Sequence, residues 1–140
     1  MSRKISFRGL LAADSQETIP LHTNNGKTGY RIVKFLGISN TPGDGNTEAI
    51  LKIYKIPQST VTATVDFSDP TLVGVNYTAQ NASTQITSES IIFDNEIFNQ
   101  DIYIQHYSRT GGVSANYYIE LEQMDLALDE ATVATLKDIR

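Results

Sequence analysis

A chain of 140 residues, 40% of them hydrophobic and 19% charged, has enough apolar material for one core, and folding at this size removes roughly two-thirds of the unfolded chain's accessible surface. The absence of cysteine excludes disulfides, thiolate metal sites and thiol nucleophiles together. A formal net charge of -5, with no basic run longer than Arg3-Lys4, argues against direct nucleic-acid binding, because neutralising phosphates needs a basic patch.

No stretch approaches about 18 consecutive apolar residues, so no membrane-spanning helix is expected. Residues 1–21 lack the apolar centre of a secretory signal, and an initiator Met1 implies synthesis in a cytoplasm.

In chain order, Ile5, Phe7, Leu10 and Leu11 predict a short extended run with a bulge at Gly9. A second short extended piece over residues 18–21 is broken by Pro20. A strand follows over residues 30–38, with Tyr30, Ile32, Leu36 and Ile38 on one face and Val33 and Phe35 on the other. The turn formers Pro42, Gly43, Asp44, Gly45 and Asn46 separate it from a strand over residues 49–56, and the two read as a hairpin with a projecting loop.

Residues 60–66 alternate Val61, Ala63 and Val65 against Thr60, Thr62 and Thr64, a period of two that predicts a strand. A shorter extended run spans residues 72–77, and the polar stretch over residues 78–88 reads as a flexible loop. Ile91, Ile92 and Phe93 predict another strand. Residues 102–107 set Ile102, Ile104 and His106 against Tyr103, Gln105 and Tyr107, and residues 116–123 set Tyr117, Ile119 and Leu121 inward; Gly111 and Gly112 join the last two as a hairpin.

The tail predicts a helix: Asp129 as N-cap, Glu130 in the first turn, and Ala131, Val133, Ala134, Leu136 and Ile139 at helical spacing. So short a helix is marginal alone and must dock to be ordered. Short strands with regular turn signals and one terminal helix predict an all-β fold, an antiparallel β-sandwich of jelly-roll type. The expected organisation is one domain over residues 1–140, with an extended N-terminal segment at 1–21 and a C-terminal docking helix at 128–140.

The residues give little support to catalysis. His22 and His106 are far apart in sequence, and no serine sits in a G-x-S-x-G elbow. Asp94, Glu96 and Asp101, or Glu120 and Glu122, could in principle pair as glycosidase carboxylates, but a solvated acidic face explains them as well. Asp44, Asn46 and Glu48 offer alternating oxygen ligands, yet Ala49 and Lys55 stand where an EF-hand needs Gly and Glu. The sequons at Asn76 and Asn81 read as accidental.

No catalytic residue, metal or cofactor is therefore expected, and the expected function is contact. Tyr103, Tyr107 and Tyr118 fall on outward faces of strands read as neighbours, where tyrosine favours a surface for protein or sugar. Val133, Leu136 and Ile139 of the helix complete the candidate contact surface.

Three stretches resemble small virion structural proteins of tailed bacteriophages, particularly those of marine bacteria: Thr23-Asn24-Asn25-Gly26-Lys27-Thr28-Gly29-Tyr30, Ile91-Ile92-Phe93-Asp94-Asn95-Glu96-Ile97-Phe98-Asn99-Gln100-Asp101-Ile102-Tyr103, and Ala131-Thr132-Val133-Ala134-Thr135-Leu136-Lys137. The resemblance covers about a fifth of the chain by motif. It implies a capsid decoration or cement protein, a homo-oligomer or multi-copy assembly bound to the major capsid protein on the virion. A tail, neck or head-fibre component shares this profile, and a carbohydrate-binding β-sandwich module is the alternative from outside the virion.

Overall fold

In the computed structural model, which describes residues 3–23, 26–42, 47–80, 86–93, 96–109 and 112–138, the chain forms eight strands and one C-terminal helix. The strands are β1 (Arg3–Leu11), β2 (Ser15–Ile19), β3 (Thr28–Ser39), β4 (Thr47–Tyr54), β5 (Leu72–Gln80), β6 (Ile86–Ile92), β7 (Ile102–Ser108) and β8 (Ala115–Asp125), followed by helix α1 (Leu128–Asp138). They form two antiparallel sheets, a three-stranded sheet ordered β1-β8-β3 and a five-stranded sheet ordered β2-β7-β4-β5-β6.

A jelly roll is a long hairpin wound on itself, so that first strand meets last, second meets seventh, third meets sixth and fourth meets fifth. Three of these pairs are hydrogen-bonded ladders here: β1 with β8, β2 with β7, and β4 with β5. The departure is β6, which pairs with β5. Polar side chains close the β3–β6 seam instead: Ser90 Oγ donates to the Phe35 carbonyl, Asn76 Nδ2 donates to Ser90 Oγ at 3.0 Å, and Thr78 Oγ1 donates to Asn76 Oδ1 at 3.0 Å.

The two apparent hairpins are therefore not hairpins. The chain crosses from one sheet to the other between β3 and β4, and again between β7 and β8. The segment over residues 60–66 is not a strand either. Both edges of β4 are taken, by β5 and β7, so residues 57–70 lie over the outer face of the five-stranded sheet. Gln16 and Gln58 exchange bonds at 3.1 and 3.3 Å, and Lys52 Nζ donates to the Thr64 carbonyl at 2.6 Å. Alternation there records one side laid on a sheet, which a covering segment satisfies as well as a ladder does.

The polar stretch expected as a loop is largely strand, since β5 runs on to Gln80 and β6 begins at Ile86; residues 81–85 lie outside the described residues. Gly9 makes no bulge, because β1 and β8 keep continuous register. An irregularity does occur in β3, between Ile32 and Lys34. A one-residue slip exchanges the faces of a strand. Tyr30, Ile32 and Phe35 are consequently buried, whereas Leu36 and Ile38, expected on the face of Tyr30, are turned to solvent.

The main core takes Phe35, Ile119 and Leu121 from one sheet and Leu51, Ile53, Ile102 and Ile104 from the other. Helix α1 docks on its own chain, burying Ala131 and Ala134 against Leu126 and Met124. It begins at Leu128, the expected start of the docking segment, but Ala127 rather than Asp129 takes the N-cap position: its N–H donates to Glu130 Oε1 at 3.1 Å, half of a capping box. Val133 faces away, 53% exposed.

Candidate contact surface

The outer face of the three-stranded sheet follows from register. Across β1, β8 and β3 its rows are Leu10–Asn116–Ile38, Arg8–Tyr118–Leu36, Ser6–Glu120–Lys34 and Lys4–Glu122–Arg31. One end is apolar, with Leu10, Leu36 and Ile38 exposed by 52, 46 and 58%. Together with Arg8, Asn116 and Tyr118 they line an open groove of about 500 Å³. Scattered exposed apolar residues are ordinary, but Leu10 on β1 and Leu36 and Ile38 on β3, set around Tyr118 of β8, form a patch of the kind that marks interaction sites.

The other end of the face is charged and mostly self-neutralised. Glu122 Oε1 lies 2.7 Å from Arg31 Nε, and Glu120 lies 3.8 Å from Lys4 Nζ. Glu120 also accepts a hydrogen bond from the Tyr118 hydroxyl at 3.0 Å, which raises the phenol above its ordinary pKa and holds its ring at the edge of the groove. Arg8 and Lys34, on either side of Tyr118, are exposed and make no ion pair among the described residues.

The groove floor depends on a glycine. A Cβ on Gly9 would stand 2.9 Å from the Tyr117 ring, so hydrogen alone lets that ring cross its ladder partner. The Tyr117 hydroxyl then donates to Glu17 Oε1 on β2 at 3.0 Å, joining the two sheets. Burial, and after it this bond to a carboxylate, push the phenol up to about 12.

The three candidate tyrosines do not form one cluster, because β7 and β8 belong to different sheets. Tyr118 lies on the face just described. Tyr103 and Tyr107 lie half-buried on the outer face of the five-stranded sheet, in a strand flanked by β2 and β4. Val133 belongs to α1, which packs on Met124 and Leu126, at the end of the sheet away from Leu10 and Ile38. The side chain of Leu136, and Ile139 entirely, lie outside the described residues. Sequence reasoning missed Leu36 and Ile38, because only the slip in β3 reveals which of its apolar residues face outward, and Leu10, because the bulge expected at Gly9 left the faces of β1 unassigned.

The residues considered for catalysis have other partners. Asp101 Oδ1 accepts from the backbone N–H groups of Leu21 at 2.8 Å and His22 at 3.0 Å, and lies 2.7 Å from His22 Nδ1. Glu96 pairs with the enclosed Lys55 at 3.0 Å. His106 lies five residues along from Asp101, roughly 17 Å in an extended chain, and is fully buried. Asp94 and the residues 43–46 lie outside the described residues; among the described ones no group of three or more His, Asp or Glu could hold a metal.

His106 gives a pH prediction. Its Nδ1 lies 3.2 Å from the Ala12 carbonyl, its Nε2 is enclosed without a partner, and burial holds its pKa below the ordinary 6.5, against the opposing pull of the Ala12 and Leu11 carbonyls and Asp14. The unfolded chain takes up this proton more readily than the folded one, so stability falls as pH drops below about 6.5, by at most about 1.4 kcal/mol per pH unit. Urea melts at pH 7.5 and 5.5 should show the loss, and His106→Leu should flatten it.

No protein-family model matches the chain, and a search of curated proteins finds no match.

Proposed function

We propose that the chain is a non-enzymatic structural protein of a bacteriophage virion, a capsid decoration or cement protein that binds the major capsid protein in many copies. The observation that carries the reading is the exposed apolar end of the three-stranded sheet, with Leu10, Leu36 and Ile38 around Tyr118. It fits a protein whose work is contact, and the resemblance of the three sequence stretches favours a virion shell as the surface contacted. Many copies on a repeating shell convert modest individual contacts into stable attachment.

Quantitative mass spectrometry of purified particles is the direct test. Hundreds of copies per particle are expected; about a dozen would indicate a neck or tail component, and absence from particles would end the virion reading. Loading by Leu36→Asp and Val133→Asp variants distinguishes the sheet face from the exposed side of α1 as the anchor. Deleting α1 is the poorer experiment, since it would uncover Leu126 and strip bonds from buried Asn99.

A carbohydrate-binding reading is favoured by one arrangement, a tyrosine ring in a groove beside the polar ends of Arg8 and Asn116. A glycan array decides it. Specific binding abolished by Tyr118→Ala and untouched by Tyr103→Ala would place sugar in this groove.

A further inference from the structure

We propose that a second copy of this chain occupies the groove, inserting the tip formed by Val65 and Phe67 in a head-to-tail contact. The proposal stands apart from the virion reading, because it needs only surfaces that the chain itself presents.

The tip is an exposed apolar knob. Phe67 is 57% and Val65 39% exposed, although the Phe67 ring packs edge-on against Phe93 with centroids 4.9 Å apart. Its backbone is fixed: Asp66 Oδ1 accepts from the Ser68 N–H at 2.9 Å and hydroxyl at 2.6 Å, and Asp69 Oδ1 accepts from the Thr71 N–H at 2.9 Å and hydroxyl at 2.7 Å. A knob already held in place loses little freedom on docking.

Charge selects the partner. Arg8 lines the groove and Lys34 stands one row beyond Leu36, across from Glu120; neither cation makes an ion pair among the described residues, and the phenyl tip is flanked by the carboxylates of Asp66 and Asp69. The knob and the groove are complementary both in polarity and in sign. A two-fold contact of groove on groove would instead bring cations toward cations. Knob and groove also lie on opposite outer faces of the sandwich, so one molecule cannot fill its own groove. The contact is heterologous, and repetition gives a ring or a chain according to whether the rotation closes.

Knob and groove alone are smaller than the roughly 1,000 Å² typical of stable interfaces, so the association is weak, with a dissociation constant on the order of 10 μM to 1 mM. Sedimentation velocity of the full chain over about 10 μM to 1 mM should show concentration-dependent association that weakens with added salt. Phe67→Ser and Leu36→Asp should each reduce it at least about tenfold. Val65→Asp replaces Phe67→Ser if the latter shifts the melting temperature. Mixing a knob-defective with a groove-defective variant should yield a dimer that grows no further, since one keeps its groove and the other its knob.

A chain monomeric throughout this range would overturn the proposal. So would association that survives Phe67→Ser and Val65→Asp; if Leu36→Asp still abolished it, the groove would be assigned to a two-fold contact.

Discussion

Replacing Asn99 by alanine is expected to cost about 3 kcal/mol and to release α1 from the body. Asn99 is completely buried, and its Nδ2 reaches the Gly26 carbonyl at 2.9 Å, the Ala131 carbonyl at 3.1 Å and Thr135 Oγ1 at 2.8 Å. One amide has two hydrogens for these three acceptors, so at least one bond is shared. The acceptors belong to the segment before β3 and to α1, which makes Asn99 the link between them. An isolated helix of 11 residues is marginal, so losing this link should reduce helical circular dichroism at temperatures where the sheet signal persists. Asn99→Asp separates bonding from packing: it keeps the shape but removes the donors, and should be at least as damaging as alanine.

The second large effect is expected at Gly37. A Cβ there would stand 2.4 Å from Leu51 Cδ1 and 2.5 Å from Asn76 Oδ1. Neither neighbour can withdraw, since both are 1% exposed and Asn76 is tied to Ser90 and Thr78. Gly37→Ala should therefore cost about 1–3 kcal/mol through overpacking, read as a lower urea midpoint with an unchanged slope. Combining it with Leu51→Ala relieves one of the two clashes. The double variant should be more stable than the sum of the single losses, a coupling measurable in a double-mutant cycle.

Neither position was legible in the sequence. Asn99 stands between apolar runs with nothing to mark it as buried, and Gly37 reads as a mild interruption of a strand. What was legible depended on unambiguous alternation. In β8, Tyr117, Ile119 and Leu121 face the core and Glu120 and Glu122 face solvent, as their chemistry dictates. β3 failed at one residue, because apolar Val33 conceals the slip that turns Leu36 and Ile38 outward. The sheet partners were hidden for a different reason: strands joined by short loops look like hairpins, whereas here the chain changes sheet after β3 and again after β7. The alternation of residues 60–66 records a covered side rather than a ladder. The candidate surface inherited these gaps, since Tyr118 was readable as outward but its apolar companions were not.

The pairing of the first strand with the last governs events during synthesis. β8 is the middle strand of its sheet, holding β1 on one edge and β3 on the other. Until it leaves the ribosome, neither of those strands has a ladder partner in that sheet, and their apolar faces must wait while some 75 further residues are made after Ser39. The sheet that carries the groove is thus the last to be assembled. A nascent chain stalled before residue 115 would present Leu10, Leu36 and Ile38 beside the unburied Phe35 and Ile32, a target for any holding chaperone that binds such runs.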